Sequence, residues 1–116
     1  MRVSKKALNP YLQKEIINTF FQTISDLSNP EEIKIFLTDF LNDAELETFS
    51  KRLAIAYYLK KGRSYSNIKD NLKVSSATVA VIEKLLDTNG FKLALKKMEA
   101  EEWANQWAEK IKNIVK

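Results

Sequence analysis

The residues best placed to do chemistry lie between Arg63 and Leu86. Ser75, Ser76, Ala77 and Thr78 open a helix-forming run, and Arg63, Lys69, Lys73 and Lys84 surround it. Small side chains let backbone approach base edges and phosphates, while ammonium and guanidinium groups neutralise phosphate charge. The spacing has helix-turn-helix form over about residues 64–87: a short helix capped by Ser64, a tight turn at Lys73 and Val74, and a second helix capped by Ser75 or Ser76 and running to about Asp87. Ile68 and Leu72 on the first helix, and Val79, Ile82 and Leu86 on the second, recur at the spacing of core-facing positions. The second helix would then present its first turn to a major groove. An ordinary helical hairpin in a bundle has the same pattern. The outward face expected for the second helix holds Ala77, Ala80, Glu83, Lys84 and Asp87, with no Arg, Asn or Gln for bidentate base reading. Lys73 stands where such turns commonly carry Gly, and a left-handed Lys there costs about 1 kcal/mol relative to Gly.

Other chemistries are excluded by what is missing. The 116 residues contain no His and no Cys. That removes a zinc site, a Cys or His nucleophile, a haem ligand and a disulfide framework. Glu45, Glu47, Glu101 and Glu102 lack metal-ligand spacing and read as solvated or capping residues. No enzymatic activity, cofactor or metal is expected. The longest unbroken apolar run is Leu53 to Leu59, seven residues, whereas a membrane span needs about 20. The first ten residues are polar and basic, without a signal-peptide core. The expectation is a cytoplasmic single domain over 1–116 that makes no use of a membrane.

Charge is unevenly spread. Net charge is +4 overall, but residues 26–47 carry −6 and residues 51–73 carry +6. A concentrated basic segment points to a polyanionic partner or to a solvated helix face.

The elements that must position these residues read as all helix. A first helix from Tyr11 to about Leu27 is apolar at Leu12, Ile16, Ile17, Phe20, Phe21, Ile24 and Leu27, a face too wide for a small monomer core to cover. That predicts a homodimer. Asn29-Pro30-Glu31-Glu32 predicts a second helix start with a capping box. Asn42 and Glu45 repeat it for a third helix to about Lys61, with Leu46, Phe49, Leu53, Ala56 and Tyr57 inward and Gly62 ending it. Asn89-Gly90 reads as a stop. A sixth helix follows over about 92–114, with Leu95, Met98, Trp103, Trp107, Ile111 and Ile114 available for packing.

The order and spacing of Leu41-Asn-Asp-Ala-Glu45, Arg52-Leu53, Leu59-Lys-Lys-Gly62, Ser64-Tyr-Ser-Asn-Ile68, Val74-Ser-Ser-Ala-Thr-Val79 and Asn89-Gly90-Phe91 resemble the Trp-repressor superfamily, in particular its YerC/YecD branch. The likeness covers about residues 40–91. It implies an all-α, six-helix fold, an intertwined dimer, and binding of double-stranded DNA through the 64–86 unit. By position it puts Ser76, Ala77 and Ala80 near base edges, and Ser66 and Lys69 near the backbone. Arg52 matches one of two Arg that sandwich tryptophan in the repressor, which makes it the candidate effector-binding residue. Arg52 is equally suited to a DNA phosphate or a dimer salt bridge. The second Arg falls on Val81, which is also commonly Arg in the YerC-like branch, and the small residue beside it falls on Ile82. Without that Arg an indole loses its stacking and carboxylate partner, so tryptophan is not expected as corepressor. The resulting expectation is a transcriptional regulator that reads DNA by sequence or shape. The alternative is a helical protein-interaction module that keeps the fold without operator recognition.

Overall fold

A computed structural model describes residues 6–114 of the chain. Six α-helices follow one another: α1 (Pro10–Asp26), α2 (Pro30–Phe40), α3 (Asp43–Lys60), α4 (Tyr65–Leu72), α5 (Ser76–Leu85) and α6 (Asn89–Ile114). No strand occurs among the described residues, and the class is all-α as expected. The side chains of Trp103, Trp107, Ile111 and Ile114 lie outside the described residues.

Local side-chain chemistry starts each helix. Asn9 Oδ1 accepts from the amides of Tyr11 and Leu12 at 2.9 and 3.3 Å, so the Asn9-Pro10 pair opens α1 one residue before the expected Tyr11. Asn29 caps α2 by accepting from the Glu32 amide at 3.0 Å. The return bond of the expected box goes elsewhere: Glu32 Oε1 accepts from the amide of Ser28, at 2.9 Å, instead of Asn29. That bond holds the Glu32 carboxyl below the usual carboxylate range. At α3 the box is complete, with Asn42 and Glu45 each accepting the other's amide at 2.8 and 3.0 Å. Gly62, at φ 83°, provides the left-handed residue after α3.

The stop expected at Asn89-Gly90 is a start. Thr88 closes α5, its amide and hydroxyl both donating to the Leu85 carbonyl at 3.0 and 2.6 Å. Its own carbonyl then accepts from Lys92 at 3.0 Å. The reversal is finished within residues 86–88, and Asn89 and Gly90 already belong to α6.

Packing divides the described residues into two units, one ending at Leu46 and one beginning at Glu47. In the first, Phe20 and Phe36 both stack on Phe40, with centroids 5.7 and 5.0 Å apart. No residue of α1 or α2 is buried, and Ile16, Ile17, Phe20 and Phe21 are all exposed. In the second, Ile55, Ala56, Ile68, Val79, Ile82 and Leu95 form the core, with Leu72, Val74, Leu86 and Met98 packed against it. Each fully buried aliphatic side chain contributes about 1.5–3 kcal/mol.

The inward face of α3 matches expectation at Ala56, in the core, and Tyr57, packed against it, and differs at three other positions. Ile55 is fully buried, whereas Phe49 and Leu53 are 47% and 37% exposed. The run from Leu53 to Leu59 is apolar on every side of the helix, so periodicity cannot fix which side faces the core.

Candidate nucleic-acid interface

Ile68 of α4 and Val79 and Ile82 of α5 sit in the same core, and this contact braces one short helix against the other. Ser64 Oγ accepts from the Asn67 amide at 3.1 Å. Ser75, not Ser76, caps α5: its Oγ accepts from the Thr78 amide at 3.1 Å and lies 2.9 Å from Thr78 Oγ1. The hydroxyls of Ser64, Ser75 and Thr78 are thus engaged in holding helix ends. Ser66, Ser76 and Ala77 are exposed, and Ala80 is half-buried.

Between the helices, Lys73 adopts φ 56° and ψ 53°, with its amide donating to the Lys69 carbonyl at 2.9 Å. This is the left-handed conformation expected of the turn, in a residue that carries a Cβ. A non-glycine side chain there crowds the following carbonyl, and such strain persists only where the surrounding structure enforces it.

The cations differ in how firmly they are held. The Arg63 guanidinium lies 4.1 Å from the centroid of the Tyr58 ring, and its Nη1 donates to Asn67 Oδ1 at 3.4 Å. Lys69, Lys73 and Lys84 are exposed, and no ion pair or hydrogen bond engages their ammonium groups among the described residues. They remain available to an external anion.

The outward face of α5 needs correction at three positions. Glu83 is turned toward α4, where its Oε1 accepts from Tyr65 Oη at 2.8 Å. The bond to this carboxylate raises the Tyr65 hydroxyl above its ordinary range. Val81 takes an outward place instead and is 58% exposed. Asp87 lies beyond the end of α5. The face therefore presents Ala77, Ala80, Val81 and Lys84. Placing Val79 and Ile82 inward on a helical period points Val81 outward, a signal the sequence carried.

Arg52 borders a cleft of about 370 Å³. Lys51, Arg52 and Lys73 line it with the hydroxyl residues Thr48, Ser75 and Thr78, over a floor of Ile55, Val74 and Ile82. Lys51 pairs with Glu47 at 3.6 Å. The Arg52 guanidinium lies 5.6 Å from the Phe49 ring centroid. The structure thus brings Arg52 beside Lys73 and the capped start of α5, while Val81 stays outside the lining.

One polar cluster was not expected. Glu102 accepts from Tyr57 Oη at 2.7 Å and pairs with Lys61 Nζ at 3.0 Å. The Tyr57 bond, and then Lys61, hold the Glu102 carboxyl below its usual range, and the same contacts raise the Tyr57 hydroxyl and the Lys61 ammonium. Glu102, read from sequence as solvated, instead ties α6 to the end of α3, next to the Tyr58 ring on which Arg63 rests.

Against this geometry, the family described as Trp repressor protein matches residues 15–99. Its members are DNA-binding regulators, not enzymes. The chain is 25% identical over 93 residues to the uncharacterized protein YerC of Bacillus subtilis (strain 168), an alignment covering 78% of this chain and 89% of that protein. No solved structure matches the chain. Among the described residues no helix is long and apolar enough to cross a membrane. The family match takes in α2 to α5 whole, with most of α1 and the first part of α6, and the chain belongs to the Trp repressor protein family.

Proposed function

We propose that the protein is a homodimeric transcriptional regulator that binds double-stranded DNA by inserting α5 into the major groove, without tryptophan as corepressor. The observation that carries the reading is the α4–turn–α5 unit. A core of Ile68, Val79 and Ile82 fixes it, its exposed first turn is small, and three unengaged ammonium groups surround it. In this reading Ser76, Ala77 and Ala80 approach base edges. Arg63, Lys69 and Lys73 anchor phosphates beside Ser66, and the capping hydroxyls of Ser64, Ser75 and Thr78 hold the helix ends in place. The second subunit is called for by the exposed Ile16, Ile17, Phe20 and Phe21 of α1. Apolar groups clustered in this way mark an association surface. Independence from tryptophan follows from Val81 and Ile82, which supply no cation opposite Arg52. Arg52 then faces an anion of another kind or a phosphate.

Ala77→Glu tests the reading cleanly. A carboxylate in the first turn of a helix is favourable to the helix itself, yet here it would face phosphates. The variant should fold as the wild type does and lose binding to duplex DNA in fluorescence anisotropy. Unchanged DNA binding would remove α5 from the interface. Light scattering should give twice the subunit mass of 13.4 kDa, and a monomer throughout the micromolar range would refute the dimer. A protein-interaction module is the rival, and the uncharged, exposed Val81 is the observation in its favour; absence of DNA binding by the wild type would establish that rival.

A further inference from the structure

The geometry points to thymine as the base that α5 reads, through the 5-methyl group and O4 on its major-groove edge, with Val81 as the specificity-determining side chain. This rests on the DNA-binding reading above. Val79 and Ile82 are fixed in the core, and the helical period then turns Ala77, Ala80, Val81 and Lys84 to the other side. Val81 is the large apolar residue of that face and is 58% exposed. Its β-branched side chain holds essentially one rotamer in a helix, so it presents a fixed methyl surface at little entropic cost. Lys84, one turn further on, supplies a hydrogen-bond donor. The nearby carboxylate, Glu83, is held by Tyr65 at 2.8 Å and so is drawn away from the face. Around Val81 what remains is an apolar contact beside a donor, since Ala77, Ala80 and Lys84 carry no side-chain acceptor and the Ser76 hydroxyl lies more than a turn earlier on the helix.

Matched against the groove edges, this combination selects one base. Adenine and cytosine each present an amino donor and need an acceptor from the protein. Guanine offers two acceptors and no methyl group. Thymine offers a methyl group and an acceptor side by side. 5-Methylcytosine shares the methyl but puts an amino donor where Lys84 requires an acceptor. The unengaged Lys69 and Lys73, with Arg63, supply the positive charge that draws the duplex to this face. Covering one methyl group is worth about fourfold in affinity, and a dimer covering one in each half-site would gain roughly fifteenfold.

The test uses the full-length protein and duplexes selected from a random pool at about 50 mM salt, where phosphate contacts are strong. The tightest duplex is remade with uracil in place of thymine, which removes only the methyl groups. Wild-type affinity should fall by about fourfold for each contacted thymine. In Val81→Ala, an exposed substitution that leaves the core intact, the same exchange should cost less than about twofold. Replacing the sensitive thymine·adenine pairs by 5-methylcytosine·guanine should leave binding as weak as the uracil duplex. A selected duplex that binds equally with uracil, or a loss that is the same in Val81→Ala, overturns the thymine assignment while DNA binding stands. Full recovery with 5-methylcytosine also overturns it, in favour of methyl contact alone. Selection of no duplex overturns both readings.

Discussion

Replacing Lys73 should move stability and DNA affinity in opposite directions. The residue sits at φ 56° and ψ 53° between α4 and α5, a conformation that costs a residue with a Cβ about 1–2 kcal/mol. Lys73→Gly removes that cost. Part of the gain returns as the greater freedom of glycine in the unfolded chain, about 0.4–1 kcal/mol, which leaves a net stabilisation of up to about 1.6 kcal/mol. In a domain of this size that raises Tm by a few degrees. Lys73→Ala loses the same ammonium and keeps the strained backbone, so its stability should stay near that of the wild type. Both variants should bind DNA more weakly, and to the same extent, because both lose one phosphate contact per subunit. Thermal unfolding at matched protein concentration separates the two effects, since a dimer's Tm depends on concentration. If the glycine variant is no more stable than the alanine variant, the turn is not strained as the geometry implies. If DNA affinity is unchanged in both, Lys73 is not at the interface.

Ile68→Ala empties a fully buried position that joins α4 to the core, and urea denaturation should show a loss of about 2–5 kcal/mol. Glu102 has its carboxyl held below the usual range by Tyr57 and Lys61. Its stabilisation is therefore present above the ordinary carboxylate pKa and is lost as pH falls through the depressed value. Glu102→Gln should accordingly lower Tm at neutral pH and converge with the wild type in acid, and a constant difference across that range would contradict the assignment. Calorimetry with L-tryptophan should give no binding at micromolar concentration, because no cation stands at Val81; a micromolar Kd would refute this.

Much of the site was legible because its signals are local. The caps at Ser64 and Ser75, the Asn42–Glu45 box and the left-handed residue at Lys73 all arise within three or four positions, and the structure has each of them. Period alone placed Ile68, Val79 and Ile82 in the core. Three features were not legible. Tyr65–Glu83 and Tyr57–Glu102 join residues 18 and 45 positions apart, and the local pattern of neither partner announces the other. The face of α3 was read correctly at Ala56 and Tyr57 but not at Phe49, Leu53 and Ile55, because Leu53 to Leu59 has no polar side to set its phase. Asn89-Gly90 carries the composition of a turn but follows one that Thr88 has already closed. The first of these errors reached the site: with Glu83 read as facing outward, Val81 was considered only as the place of the missing Arg and was not counted on the α5 face.

The central claim, that the cations around α4 and α5 meet phosphate, is tested most directly by the salt dependence of binding. Three or four cations per subunit give a dimer about six to eight phosphate contacts, and log affinity against log salt should fall with a slope of about −5 to −7. Lys69→Ala should flatten that slope by about two units, one for each subunit, on every sequence alike. Anisotropy on a mixed-sequence duplex from about 50 mM salt upward measures both. A slope in that range that responds to Lys69 is the predicted result. No binding at the lowest salt, or a slope indifferent to Lys69, would contradict the account.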